Sequence, residues 1–222
     1  FESLQNISSG NSNVAVGYLA LNDNTTGSNN VAMGDNSLHS NTTGTGNVSI
    51  GQEALYGGNR SGDIAIGQQA MYAGPTGGIN YAIGRYAMMD ANAGSTSLGS
   101  VHNIAIGQSA LGGTWTNAAS NENIAIGHFS MDSPLDGALR NIAIGYSSMS
   151  NITSGDYNIA IGWNAGLGVT TGLNNVLLGS QAGRSINTGS NNTAIGYQAG
   201  YSSDSNGSNV FIGWNAGYEA DS

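Results

Sequence analysis

The sequence predicts an all-β chain, folded as a parallel β-roll or β-solenoid of about twelve coils. Three observations predict it. One short motif recurs at a near-constant interval from end to end, its core alternates with a period of two, and the segments between copies are rich in turn-forming residues.

The stretch Asn123–Met131 reads NIAIGHFSM, Asn141–Met149 reads NIAIGYSSM, and Asn158–Gly166 reads NIAIGWNAG. Aligned on the motif glycine, the copies fall at Gly17, Gly34, Gly51, Gly67, Gly84, Gly107, Gly127, Gly145, Gly162, Gly179, Gly196 and Gly213. The successive gaps are 17, 17, 16, 17, 23, 20, 18, 17, 17, 17 and 17 residues. Four residues before the glycine stands Asn13, Asn30, Asn47, Asp63, Asn80, Asn103, Asn123, Asn141, Asn158, Asn175, Asn192 or Asn209. Two residues before it is Ala, with Ser49, Leu177 and Phe211 as exceptions; three residues after it is Ala or Ser.

Each part of the repeat has a physical reading. In Asn103–Gly107 the alternation of Ile104, Ala105 and Ile106 is strand patterning, and β-branched residues favour strands. The glycine permits a corner that a Cβ would obstruct. Gln108–Leu111 and its equivalents read as a second short apolar-faced strand. Loops such as Asn22–Asn29 then close the coil, and they interrupt too often for helical repeats. Stacked at about 4.8 Å per coil, twelve coils make a rod about 55–60 Å long. The Asn column becomes a ladder of side-chain amides that bond to one another or to turn backbone, a structural role, as is that of the glycines. Both faces of the strand are apolar, and a thin coil buries only one of them, so the other is expected to be an interface between chains. The residue pattern leaves open which face is which.

Composition narrows the function. The 222 residues include 36 Gly, 2 Pro and no Cys, with 8% charged residues and a net charge of −9. Lys is absent, and the cations are Arg60, Arg85, Arg140 and Arg184. Nothing here neutralises a phosphate backbone, so no nucleic-acid partner is expected. Disulfides and thiolate metal sites are excluded. No apolar run approaches the ~18 residues of a bilayer span, so no membrane insertion of this segment is expected. Periodic apolar columns argue against disorder.

Catalytic signatures such as HExxH, GxSxG or a phosphate loop are absent, so the chain is not expected to be an enzyme or to hold a cofactor or metal. Asp132 and Asp136 share one loop, best read as a solvated turn. Sequons at Asn24, Asn41 and Asn151 carry little weight in a chain so rich in Asn, Ser and Thr. Insertions in a solenoid map to one side, often a binding side. The period breaks at Asp90–His102, Gly112–Glu122 and Asp132–Arg140. His102, Trp115 and Asp132 are therefore the candidate ligand contacts, with Trp115 suited to stacking on a sugar. Four residues after the motif glycine, Leu or Met fills the first eight copies, and Gly166, Gly183, Gly200 and Gly217 fill the last four. Residues 1–162 and 163–222 are thus expected to be two subregions of one repetitive domain, with a repacked or differently shaped roll in the second.

The columns Asn-x-Ala-Ile-Gly-x-x-Ala resemble the YadA-like head repeats of trimeric autotransporter adhesins, also found in phage tail fibres. The copies NTAIGYQAG at Asn192–Gly200 and NVFIGWNAG at Asn209–Gly217 look most like tail-fibre usage. The resemblance spans the chain. It implies a left-handed parallel β-roll and a side-by-side homotrimer. It also implies an extracellular place on a bacterial cell surface or virion tail fibre, and attachment to a host surface receptor or glycan. Phe1–Leu4 matches the residues that follow a motif glycine, so the chain reads as a segment of a longer repetitive protein. The alternatives are a structural shaft or self-assembling filament without ligand and, less favoured, an ice-binding solenoid. Ice binding needs a regular Thr array, whereas the column after the glycine runs from Asp35 through Arg85 to Trp214.

Overall fold

The computed structural model describes residues 2–74, 77–91, 99–202 and 207–219. Among the described residues, twelve three-residue strands form one parallel sheet in sequence order. They are β1 (Val14–Val16), β2 (Val31–Met33), β3 (Val48–Ile50), β4 (Ile64–Ile66), β5 (Tyr81–Ile83), β6 (Ile104–Ile106), β7 (Ile124–Ile126), β8 (Ile142–Ile144), β9 (Ile159–Ile161), β10 (Val176–Leu178), β11 (Thr193–Ile195) and β12 (Val210–Ile212). Together they make a β-solenoid of about eleven turns, and we number each coil by its strand. Register is exact in the repeat: Ile142, Ala143 and Ile144 of β8 stand beside Ile159, Ala160 and Ile161 of β9. The longer gaps of 23, 20 and 18 residues leave it unchanged, because Tyr81 still faces Ile104 and Ile104 faces Ile124.

The middle residue of each strand points inward. Ala32, Ala65, Ala82, Ala105, Ala125, Ala143 and Ala160 are fully buried, in one core with Leu38, Met71, Met88, Leu111, Met131 and Met149 from the far side of the coil. The interior is narrow, so a small strand residue meets a large residue opposite. The flanking Val, Ile and Met side chains therefore turn outward, which settles the choice that the sequence left open.

The corner glycine has φ between +125° and +142° in every coil. In the inner coils a Cβ on it would meet the neighbouring coil's backbone: on Gly145 it would lie 2.4 Å from the Gly162 carbonyl oxygen. The Gly145 N–H donates to the Ile126 carbonyl at 2.8 Å, continuing the strand ladder around the bend.

The expected second strand is not one. In Gln108–Leu111 and its equivalents, left-handed residues alternate with ordinary ones: Ser109 has φ +53° and Leu111 +50°, and Phe129 and Met131 repeat this at +54° and +49°. That alternation coils the chain tightly, where a strand would run straight past the narrow core. Stacking still satisfies the backbone. The Ser109 N–H donates to Arg85 O and the Leu111 N–H to Ser130 O, both at 3.0 Å.

Beyond Gly162 the course of the chain is kept and the filling changes. Gly166, Gly183 and Gly200 have φ +57° to +59°, the left-handed region that Leu and Met occupy in earlier coils. The space vacated is taken from the strand side. A Cβ on Gly183 would lie 2.5 Å from Leu177 Cδ2, and one on Gly200 would lie 2.7 Å from Phe211 Cδ2. Two of the exceptions in the Ala column are thus paired with the glycines they compensate. The third, Ser49, bonds the equally buried Ser37 at 2.7 Å and donates to Ala54 O at 2.8 Å.

Leu177→Ala is expected to cost about 3 kcal/mol, because glycines on both sides offer nothing to refill the cavity. Adding Gly183→Leu restores the arrangement of the early coils and should recover at least half of that loss. Urea midpoints of the two variants test the pairing, and an additive double variant would contradict it.

Candidate interaction surfaces

Outward-facing strand residues build the longest apolar surface. Val14, Val16, Met33, Ile50, Ile83, Ile106, Ile161, Ile195, Val210 and Ile212 all lie more than a third exposed. They stack coil on coil, so single exposed side chains merge into one stripe along the sheet. A contiguous apolar patch on a folded surface marks an interaction site.

The loop positions singled out by the sequence behave differently from one another. Trp115 is fully buried, in the same core as Leu135. Its backbone N–H donates to Asp90 O at 3.2 Å, and its indole N–H has no partner among the described residues. The expectation of a ring free to stack on a sugar is therefore corrected. The insertion carries the ring inward, where it supplies the core filling that Ile152, Val169 and Ile186 provide in later coils. Asp90, Ala91 and residues 99–102 of the preceding insertion are described; its centre, 92–98, lies outside the described residues.

His102 is exposed, at a left-handed corner with φ +60°. Below it on the same edge stand Glu122, Arg140 and Tyr157, one per coil, all left-handed as well. Arg140 Nε donates to Glu122 Oε2 at 2.7 Å, and its Nη1 donates to the Tyr157 hydroxyl. Hydrogen bonding to Arg140 holds the Glu122 carboxyl below its ordinary pKa and raises the Arg140 guanidinium in turn. The row is exposed to solvent, so it adds little to stability. Its charges are spent on one another, leaving no free cation to receive an anionic ligand.

Asp132 is half-buried, and burial pushes its carboxyl up to about 6 against the pull of the Gly112 N–H. Asp136 faces elsewhere: it accepts from the Ala118 N–H at 3.0 Å and from Asn117 Nδ2 at 3.3 Å. The two carboxylates fasten neighbouring coils separately. Among the described residues no three His, Cys, Asp or Glu side chains gather as a metal would require. The sequon residues Asn24 and Asn41 are buried, each donating to a loop carbonyl, Gly27 O at 3.0 Å and Gly44 O at 3.1 Å.

The Asn column forms a continuous hydrogen-bonded ladder beside the strands. Asn141 Oδ1 accepts from the Asn158 N–H at 3.0 Å and from Asn158 Nδ2 at 3.1 Å, while Asn158 Nδ2 also reaches Gly172 O at 2.8 Å. Asp63 interrupts this pattern. Its Oδ1 accepts from the Asn80 N–H at 2.8 Å, but Oδ2, at the place of an amide donor, is buried without a partner among the described residues. Burial pushes its carboxyl up to about 6 against several hydrogen bonds and the charge of Arg60. Arg60 is itself buried, bonded through Nη1 to Met71 O at 2.9 Å and lowered by burial to about 10. Its guanidinium fills the space beside Gly57 and Gly74, where other coils have side chains. The sequence signal for it was Gly74, seven residues past its motif glycine, where Ile152 and Val169 stand in later coils.

Comparison of the chain with family models, with curated proteins and with solved structures returns no match.

Proposed function

We propose that the chain is a segment of a surface-displayed, homotrimeric adhesive fibre, an adhesin head or a phage tail fibre, that serves attachment or host recognition outside the cell. One observation carries the reading. Every coil turns apolar Val, Ile or Met residues outward from the strand, in a chain that is otherwise poor in exposed charge and rich in self-satisfied polar ladders. Burying that stripe needs a partner as long and as regular as the solenoid itself, and a second and third copy supply one. Left-handed rolls packed side by side around an axis, as in the heads the repeats resemble, meet that need. The polar edges and loops then face outward, where a host receptor or glycan is met.

The stripe is tested by charge. Ile106→Asp together with Ile161→Asp is expected to reduce the native mass from that of a trimer to that of a monomer, with an unchanged far-ultraviolet circular dichroism spectrum. A double variant that keeps the wild-type mass places the interface elsewhere.

A further inference from the structure

The column one residue after the corner glycine changes character along the molecule. Coil 1 carries an exposed Tyr18 and coil 7 His128; between them coils 2–6 carry Asp35, Gln52, Gln68, Arg85 and Gln108, whereas coils 8–12 carry the near-unbroken row Tyr146, Trp163, Ser180, Tyr197 and Trp214. The four rings of the second half are all exposed, by about half of their surface or more. Tyr146 is braced edge-to-face by Phe129, with centroids 6.0 Å apart. The next column in the last four coils is all amide, Asn164, Gln181, Gln198 and Asn215, and Gln198 Nε2 donates to Gln181 Oε1 at 2.8 Å. No charged side chain stands in either column over coils 8–12.

These rings lie beside the apolar stripe but do not share its regularity. The stripe is Val, Ile or Met in nearly every coil, as an interface running the full length requires. The ring column holds Asp35 and Arg85 further up, and a surface buried against a second copy over the same length would desolvate both charges. The column is thus not part of a contact that runs the full length, and its exposed aromatic half is open to a different partner. That partner is uncharged, because no cation or anion in the strip would pair with it. It presents flat C–H faces to the rings and hydroxyls to the amides, which is the chemistry of sugar rings.

We propose that Tyr146, Trp163, Tyr197 and Trp214 form a track that binds a neutral polysaccharide lying along the solenoid axis. The coil spacing of about 4.8 Å sets the rings one or two coils apart, about 5 or 10 Å. That spacing offers a platform to each sugar ring or to every second one of a linear chain. Gln181 and Gln198 supply hydrogen bonds beside the Ser180 gap. The proposal names the ligand class of the adhesive reading above and rests on it.

The test is affinity electrophoresis of the full chain through native gels containing hydroxyethylcellulose, xyloglucan, galactomannan or dextran, with the native mass measured in parallel. The comparison is Trp163→Gln with Tyr197→Gln, which installs the residue that coils 3, 4 and 6 use in this column. The expected result is retardation of the wild type by at least one polymer, and at least tenfold weaker retardation of the variant at unchanged native mass. No retardation by any of the four overturns the proposal, and so does binding confined to sulfated or uronic polymers. A variant that changes native mass shows the row to be a contact between copies and overturns it as well. A wild-type monomer that is nonetheless retarded overturns the trimer and leaves the track standing.

Discussion

Gly145→Ala is expected to break the solenoid in its middle, at a cost of at least about 4 kcal/mol. The added Cβ would sit 2.4 Å from Gly162 O and 2.7 Å from Gly162 C, and φ is +136°. Neither obstacle yields to a rotamer change, since the atoms met are backbone and the conformation suits glycine alone. Relief requires coils 8 and 9 to part, and with them the Ile142–Ile159 pairing and the Asn141–Asn158 rung. Gly46→Ala is the matched control. It too has positive φ, +70°, but nothing lies within 4 Å of the new Cβ, and the same column accepts Ile79 and Arg140 at +65° and +57°. Its cost should be about 1 kcal/mol. Amide hydrogen exchange separates the two, with protection lost around β8 and β9 for Gly145→Ala and kept for Gly46→Ala. Equal effects would mean that the corner glycines are not packed coil against coil.

Asp63→Asn is expected to stabilise the chain at pH 7 by about 2–3 kcal/mol, and by little at pH 4. The sign follows from burial. The folded chain holds the Asp63 proton up to about 6 against an ordinary 3.8, so Asp63 contributes stability below about pH 4 that is lost as pH rises through 6. A displacement of about two pH units corresponds to about 3 kcal/mol. Asparagine at 63 puts an amide donor where Oδ2 now lies unpartnered, as at every other rung. It also removes the carboxylate whose charge raises the Arg60 pKa, which keeps the gain at the lower end. Urea midpoints of both proteins between pH 4 and pH 7 test this. The wild-type midpoint should fall across that range, and the variant should keep only the shallower dependence left by Asp132. A variant less stable than wild type at pH 7 would show the attraction between Asp63 and Arg60 to outweigh the cost of burying the carboxylate.

Much of this was legible in the residues because a solenoid writes its contacts into columns. The Asn column, the corner glycine and the alternation of Ile104, Ala105 and Ile106 each specify one backbone event, and each recurs often enough to be read without a structure. What the columns did not reveal was conformation that any residue type can adopt. Leu19, Glu53, Tyr86 and Phe129 all occupy left-handed φ in the supposed second strand, and nothing in such a mixture signals a turn. Inside and outside were also undetermined, since Ala and Ile both suit a buried strand face. The width of the coil decides it, and width is set by what fills the coil, Leu and Met from the wall opposite the strand early, and Leu177 and Phe211 from the strand itself late. Trp115 misled for the same reason. An aromatic residue in an insertion reads as surface until the coil is seen to need it as filling. The rings of coils 8–12 share one sequence column, and only their exposure makes that column a surface.

Closure of the outward stripe by copies of the same chain is read from the native mass in dilute solution, by light scattering after size exclusion. A side-by-side trimer gives a single species near three times 22.4 kDa. A folded, monodisperse monomer would contradict it, and would leave a self-sufficient solenoid whose exposed Val, Ile and Met stripe serves some other partner.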